Sequence, residues 1–227
     1  MTYPKPSLAV DLALITVAEG ALKGLFMARP DARVVGGDWA LPGGYVRIDE
    51  TVEATAFRVL NEKAGISSAY LEQLFTYGDL NRDPRERVVS VTYFALMSAQ
   101  DLLAATAVSA SLQLATIQVD WEGETGGLAT AVSDETGPLR LAFDHAAILG
   151  DLVKRLRGKL DYTDIALELL PEFFTLRQVQ EIYEAILGRT LTKPAFRRKL
   201  LDRKTIKATG QREEASAFRP AELYTRS

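Results

Sequence analysis

The chain has 227 residues and a formal charge of −3, with 47% apolar and 25% charged residues, ordinary values for a globular protein in which each half can bury a core. It has no cysteine, which excludes disulfides, thiolate nucleophiles and zinc–thiolate sites, so any metal chemistry has to rest on carboxylates. No apolar stretch approaches the roughly 20 residues that span a bilayer, and residues 1–6 lack the basic-then-apolar order of a signal peptide, so no membrane association and a cytoplasmic location are expected.

The small net charge hides an asymmetry. Residues 1–150 carry 11 Lys+Arg against 19 Asp+Glu, whereas residues 151–227 carry 16 against 11. Between Leu191 and Arg212 eight basic residues accompany one acid, Asp202. An acidic body with a basic tail is the electrostatic pattern of a sensor joined to a nucleic-acid-binding module; a solvated charged face is the ordinary alternative.

In chain order, Leu8 to Val17 is rich in aliphatic and β-branched residues, Glu19-Gly20 interrupts it, and Leu25 to Ala28 resumes it, which predicts a hairpin. Across Thr51 to Ala64, Val52, Ala56, Leu60 and Ala64 recur every four residues on one helical face, and Gly65 supplies a C-terminal stop. Val88 to Leu96 is nearly continuous in Val, Thr, Tyr and Phe, as in a strand covered on both faces. From Ala99 to Gly137 the small and polar residues assign no element. Asp144 to Leu160 places Ile148, Leu149, Leu152, Leu156 and Leu160 at helical spacing, with Lys154, Arg155, Arg157 and Lys159 on the remaining surface. This helix is expected to pack on the first domain and lead into the second.

The C-terminal third carries the strongest local signals. Thr175 followed by Gln178 makes a capping box, and Phe174 with Val179 a hydrophobic staple. Leu176, Val179, Ile182, Tyr183, Ile186 and Leu187 then recur at helical spacing up to Gly188. After a short connection, Thr192 is a candidate N-cap, Pro194 falls in the first turn and Leu191 pairs with Phe196, giving helix, turn, helix. On the second helix Phe196 and Leu200 share one side, Arg198 projects nearly opposite, and Arg197 and Lys199 flank it. A helix inserted into a DNA groove needs that division, because its apolar side anchors it and its basic side meets phosphates and base edges. Thr205–Thr209 and Ala217–Tyr224 bracket a turn-forming stretch and predict a small hairpin, or wing, with Arg212 near its tip. The candidate DNA-binding residues are Thr192, Lys193, Arg197, Arg198, Lys199, Lys204 and Arg212. A helical dimerisation or protein-binding module is the competing reading.

In the first half, the stretch Trp39 to Ile66 reads WALPGGYVRIDETVEATAFRVLNEKAGI. Gly44, Glu50, Arg58, Leu60, Glu62, Gly65 and Ile66 fall at the spacings of the Nudix box, preceded by Leu41-Pro42-Gly43-Gly44, and the segment therefore resembles that family over residues 1 to about 150. The resemblance implies metal-binding glutamates at 59, 62 and 63, but this chain has Val59, Glu62 and Lys63. One carboxylate is a poor cage for a hard divalent cation, and Lys63 opposes it electrostatically. No resident metal, cofactor or catalytic residue is expected. Lys63 either attracts a diphosphate that is not hydrolysed or is simply a solvated side chain. Glu50 and Arg58 are expected to hold the loop to the helix, with Glu62 joining the pair, and Trp39 either packs in the core or lines the cleft. Arg85, Glu86 and Arg87 border the same cleft or form an ordinary charged loop. The candidate effector-binding set is Trp39, Gly43, Gly44, Arg58, Glu62, Lys63 and Arg87. His145, the only histidine, has no visible catalytic partner and is assigned to packing.

FDHAAIL at Phe143–Leu149, EAILGRTLTKPAFRRKL at Glu184–Leu200 and RPAELY at Arg219–Tyr224 extend the likeness over the whole chain, which resembles the Nudix-related transcriptional regulators of the NrtR family. That resemblance implies a mixed α/β protein with a Nudix fold over 1–150, the end of a connecting helix over 151–160 and a winged helix-turn-helix domain over 161–227. It further implies a repressor, acting as a homodimer on an inverted repeat of double-stranded DNA, that senses ADP-ribose or a related NAD metabolite and controls genes of NAD metabolism. The alternatives are a sugar-metabolism regulator of the same architecture, an active Nudix hydrolase of a nucleoside diphosphate derivative, and an interaction protein that does not bind DNA.

Overall fold

The computed structural model describes residues 3–30, 37–107, 109–213 and 220–227. The expected first hairpin is present as β1 (Ser7–Ala18) and β2 (Ala21–Ala28). Glu19 and Gly20 between them have φ of 54° and 72°, the positive values that a two-residue turn needs to match the twist of its strands. Short strands β3 (Trp39–Ala40) and β4 (Gly43–Tyr45) pair with β2 and β1. Helix α1 (Val52–Ala64) follows; Thr51 accepts from the Ala54 amide at its start, and Gly65 ends it with φ 68°.

Strands β5 (Tyr70–Tyr77) and β6 (Val88–Leu96) form an antiparallel pair, and β6 runs parallel to β1 from Ser7↔Val88 to Ile15↔Leu96. That central position explains the continuous apolar character of β6. The stretch that assigned no element holds helix α2 (Ala99–Ala107) and strands β7 (Leu112–Val119), β8 (Ala129–Ser133) and β9 (Gly137–Leu139). The sheet order is β5-β6-β1-β2-β7-β8-β9.

Two apolar clusters cover its faces. One joins Leu12, Leu14 and Leu25 of the sheet to Ala56, Val59 and Leu60 of α1 and Leu102 of α2. The other joins Phe26, Phe94 and Ile117 to helix α3 (His145–Lys159), and continues into helices α4 (Leu176–Leu187) and α5 (Lys193–Asp202) through Val179, Ile182 and Phe196. The C-terminal module thus shares a core with the sheet, where composition suggested a core for each half. A short 3-10 turn, Ile165–Leu169, connects α3 to α4 and is itself buried in that cluster.

The capping box at α4 is complete, with the Gln178 amide donating to Thr175 Oγ1 at 3.2 Å and the Thr175 amide donating to Gln178 Oε1 at 2.8 Å. Thr192 precedes α5 without a side-chain capping bond, and Pro194 lies in the first turn as expected. Strands β10 (Ile206–Arg212) and β11 (Glu222–Arg226) form the expected small hairpin. Residues 217–219 of the expected second strand, including Arg219 of the RPAELY motif, lie outside the described residues. Reciprocal backbone bonds between Phe174 and Tyr224, at 3.0 and 2.7 Å, tie β11 to the start of α4.

Candidate functional site

The Nudix-like loop is held by ions. Glu50 accepts from Arg58 Nε at 2.9 Å and Nη2 at 2.6 Å, and from the Arg47 amide at 2.9 Å. The Arg58 bonds hold the Glu50 carboxyl well below its ordinary value, at about 2. Arg58 also reaches the Tyr45 carbonyl at 3.0 Å and Glu62 at 3.2 Å, and Arg47 stands 3.6 Å from the other Glu62 oxygen. The charge of Glu62, the one retained carboxylate of the expected metal set, is therefore shared between two guanidinium groups. Val59 is fully buried, and a Cβ on Gly44 would stand 3.1 Å from its methyl group. Lys63 is exposed on α1. This donor set does not fit a magnesium ion, which needs several free oxygens.

A cleft of about 280 Å³ opens where β1, β2 and β4 meet the loop before β6 and the start of α3. Of the candidate effector-binding residues, Gly43 and Gly44 line it; Trp39, Arg58, Glu62, Lys63 and Arg87 are not in its lining. Gly43 is required by close approach, because a Cβ there would lie 2.7 Å from Asp11 Oδ1 and 2.9 Å from the Val10 carbonyl. Trp39 is half-buried beside the apolar cluster, and Arg87 donates to the carbonyls of Gly78 and Asp79, which pins the loop.

What lines the cleft instead is a set that spacing did not bring together. Arg82 donates twice to Asp144, at 2.8 and 2.9 Å, and once to Asp11 at 3.0 Å; Asp11 also accepts from Ser90 at 2.7 Å. Phe143 has φ 56°, a conformation that costs a bulky residue about 1–3 kcal/mol and often marks a functional position. The guanidinium carbons of Arg29 and Arg85 stand 4.4 and 5.5 Å from its ring centre. Arg85 is also bonded to Asp83 at 2.8 and 3.0 Å. His145, 2% exposed, accepts the Leu41 amide at Nδ1 over 3.0 Å, and burial lowers its pKa, so it is a neutral packing group as expected. The loop at Arg85 was visible in the sequence as a candidate border, and Phe143 opens the FDHAAIL motif without having been assigned to the cleft; Asp11, Arg29 and Arg82 carried no local signal.

The second site is built on α4 and α5. Glu184 accepts the Leu191 amide at 2.7 Å, and Gln180 donates to the Leu191 carbonyl at 3.0 Å, so the turn between the helices is clamped from α4. Phe196 packs edge-on against Tyr183 at 5.0 Å, and with Leu200 buries the inner face of α5. Thr192, Lys193, Arg197 and Arg198 are exposed on its other sides. Lys199 is exposed but pairs with Asp161 at 3.1 Å. Lys204 sits at the turn into β10 with φ 56°, and Arg212 donates to the Pro220 carbonyl at 3.0 Å. Arg203, not among the expected residues, ties α5 to the end of α3 through the carbonyls of Leu160 and Thr163 and to Tyr183 Oη, at 3.0, 3.1 and 3.0 Å.

A Nudix-like sheet body with a ligand-sized cleft, fused to a winged helix with a basic outer face, defines a regulator of the sensor-plus-DNA-binding class. Residues 6–112 match the NUDIX domain family and residues 166–225 match the NrtR DNA-binding winged helix domain. The chain is 38% identical, over 98% of its length and 82% of the relative's, to a protein of Acinetobacter baylyi named ADPR responsive transcriptional repressor NtrR. The structure of Shewanella oneidensis NrtR complexed with a 27mer DNA matches with a TM-score of 0.78 at 31% identity, covering 97% of this chain and 93% of that one. A Methanocaldococcus jannaschii ADP-ribose pyrophosphatase is 28% identical over 69% of the chain and 78% of its own length. The chain belongs to the NrtR family of Nudix-related transcriptional regulators. Among the described residues no helix is long and apolar enough to cross a membrane.

Proposed function

We propose that this protein is a transcriptional repressor that binds ADP-ribose, or a closely related nucleoside diphosphate, in the Nudix-like cleft and releases operator DNA in response. The observation that carries this reading is the full-length likeness to a repressor named as ADP-ribose responsive, which spans cleft and winged helix together. The cleft chemistry supports the ligand class. Arg29 and Arg85 offer cations for a diphosphate beside the exposed part of the Phe143 ring, and Gly43 keeps the backbone open. Arg58 and Glu62 act as scaffold, while Lys63, outside the cleft lining, contributes at most long-range attraction.

The same reading holds the protein to be no hydrolase. Val59 and Lys63 replace two oxygen donors, and Glu62 is occupied by Arg58 and Arg47. On the DNA side, Lys193, Arg197 and Arg198 with Thr192 meet the groove, Lys204 and Arg212 meet the backbone from the wing, and a homodimer presents two such units to an inverted repeat. The test is a gel shift with DNA from upstream of the chain's own gene neighbourhood, titrated with ADP-ribose, NAD and sugar phosphates, while the ligand is assayed for breakdown in the presence of magnesium. Release by intact ADP-ribose is expected. Magnesium-dependent turnover, or DNA binding indifferent to all three ligands, overturns the reading.

A further inference from the structure

The cleft and the DNA-reading helix lie at opposite ends of α3. At its start, Asp144 is gripped by Arg82 through both Nε and Nη2. Near its end stands Arg157, about 20 Å away along a helix that rises 1.5 Å per residue. Arg157 is 8% exposed, and burial lowers its pKa. Among the described residues its hydrogen bonds all go to backbone carbonyls: Ile186 in the last turn of α4 at 2.9 Å, and Trp121 and Gly123 in the loop after β7 at 3.3 and 3.0 Å. Its guanidinium also lies 4.7 Å over the Trp121 ring, and a Cβ on Gly188, the residue that ends α4, would stand 3.2 Å from Nη2.

One side chain on the connecting helix thus bonds the sheet domain and the winged helix at the same time. A buried cation satisfied by carbonyls is an expensive way to fill space, since an apolar side chain of that size would avoid the desolvation. What the guanidinium adds is direction: a planar fork donates to its three carbonyls only at one relative placement of α3, α4 and the 121–123 loop. The C-terminal end of α4 is also where a positive charge meets the helix dipole favourably.

We propose that Arg157 is the positioning residue that converts movement of α3 at the effector cleft into a change in the orientation of α4 and α5. The proposal rests on the effector-responsive reading given above. A ligand that alters the Arg82–Asp144 grip shifts the N-terminus of α3, and the shared fork of Arg157 carries the shift to the winged helix because it cannot serve both domains in a new geometry. Coupling of this kind requires that ligand bind the two arrangements unequally.

The experiment uses the full chain as wild type, Arg157→Lys and Arg157→Met. The DNA dissociation constant is measured with and without saturating ADP-ribose, and the ratio is the coupling factor. In both variants DNA and ADP-ribose are each expected to bind alone within about threefold of wild type, while the coupling factor falls to within about twofold of unity. Because the chain has no cysteine, paired labels at Glu53→Cys on α1 and Asp202→Cys on α5, diluted into unlabelled protein, also report the distance between domains directly. The Arg157 variants should broaden that distance distribution. An unchanged coupling factor, a distribution as narrow as wild type, or loss of DNA or ligand binding by itself overturns the proposal. If wild type shows no response to ADP-ribose, the functional reading fails, and the distance distribution still decides whether Arg157 fixes the domains.

Discussion

Replacing Arg82 by Met should cost a large share of the protein's stability. The Arg82 side chain is 5% exposed and makes three bonds of 2.8 to 3.0 Å to two carboxylates, Asp144 and Asp11, whose side chains are 21% and 13% exposed. Breaking a buried pair by removing one partner costs about 3–5 kcal/mol, because the remaining charge stays desolvated. Partial hydration of Asp144 places this case near the lower end, at about 3 kcal/mol. A domain's total stability is about 5–15 kcal/mol, so such a loss is readily seen in equilibrium urea denaturation. Removing one of the two carboxylates left without Arg82 should recover part of it: Arg82→Met combined with Asp144→Asn is expected to be less destabilised than the sum of the two single changes by about 1 kcal/mol or more. A deficit under about 1 kcal/mol for Arg82→Met, or strict additivity in the double variant, would refute the claim that this network braces the start of α3.

Three further outcomes are expected. Arg197→Ala and Arg198→Ala should weaken DNA binding and lower the salt slope by about 1 for each phosphate left without its cation, whereas Lys199→Ala should do less because its ammonium is held by Asp161; titrations at several salt concentrations separate the cases. Glu50 has a folded-state pKa of about 2 against an ordinary 4.5, so the unfolded chain binds more protons between those values and the stability Glu50 contributes is lost as pH falls through that window. Denaturation across pH 5 to 2 should show this decline in wild type and less of it in Arg58→Met. Thr175→Ala removes the capping oxygen at α4 and should cost about 1 kcal/mol, read as a lowered melting temperature; no shift would mean that the capping box is ornamental.

Local chemistry is what made the sequence legible. A capping box, a C-terminal glycine and a four-residue apolar period are all set within one or two turns of chain, so α1 and α4 could be placed from residues alone. Strand β6 was visible because both of its faces are covered. Strands β8 and β9 were not, because their short runs of Ala, Thr, Ser and Gly become strand-forming only through pairing with β7 and with each other, and β7, despite Leu112, Leu114, Ile117 and Val119, was lost among the small and polar residues around it. The same limit applies to the cleft. Asp11, Arg29, Arg82 and Phe143 come from four separate segments, and their convergence is a product of sheet order. By contrast, Arg58 and Glu62 stand one turn apart on α1, and their expected scaffold pairing was readable from that spacing. The junction at Arg157 was invisible for a further reason: on a helical wheel it is one of several basic residues facing outward, and only the neighbouring domains bury it.

The central claim is that the Nudix-like cleft and the winged helix are thermodynamically linked. The most direct measurement is the dissociation constant of ADP-ribose for the full chain, taken with and without saturating operator DNA. Linkage requires the two sites to affect one another by the same factor. The account predicts that DNA weakens ADP-ribose binding by the factor with which ADP-ribose weakens DNA binding; an ADP-ribose affinity unchanged by bound DNA contradicts it.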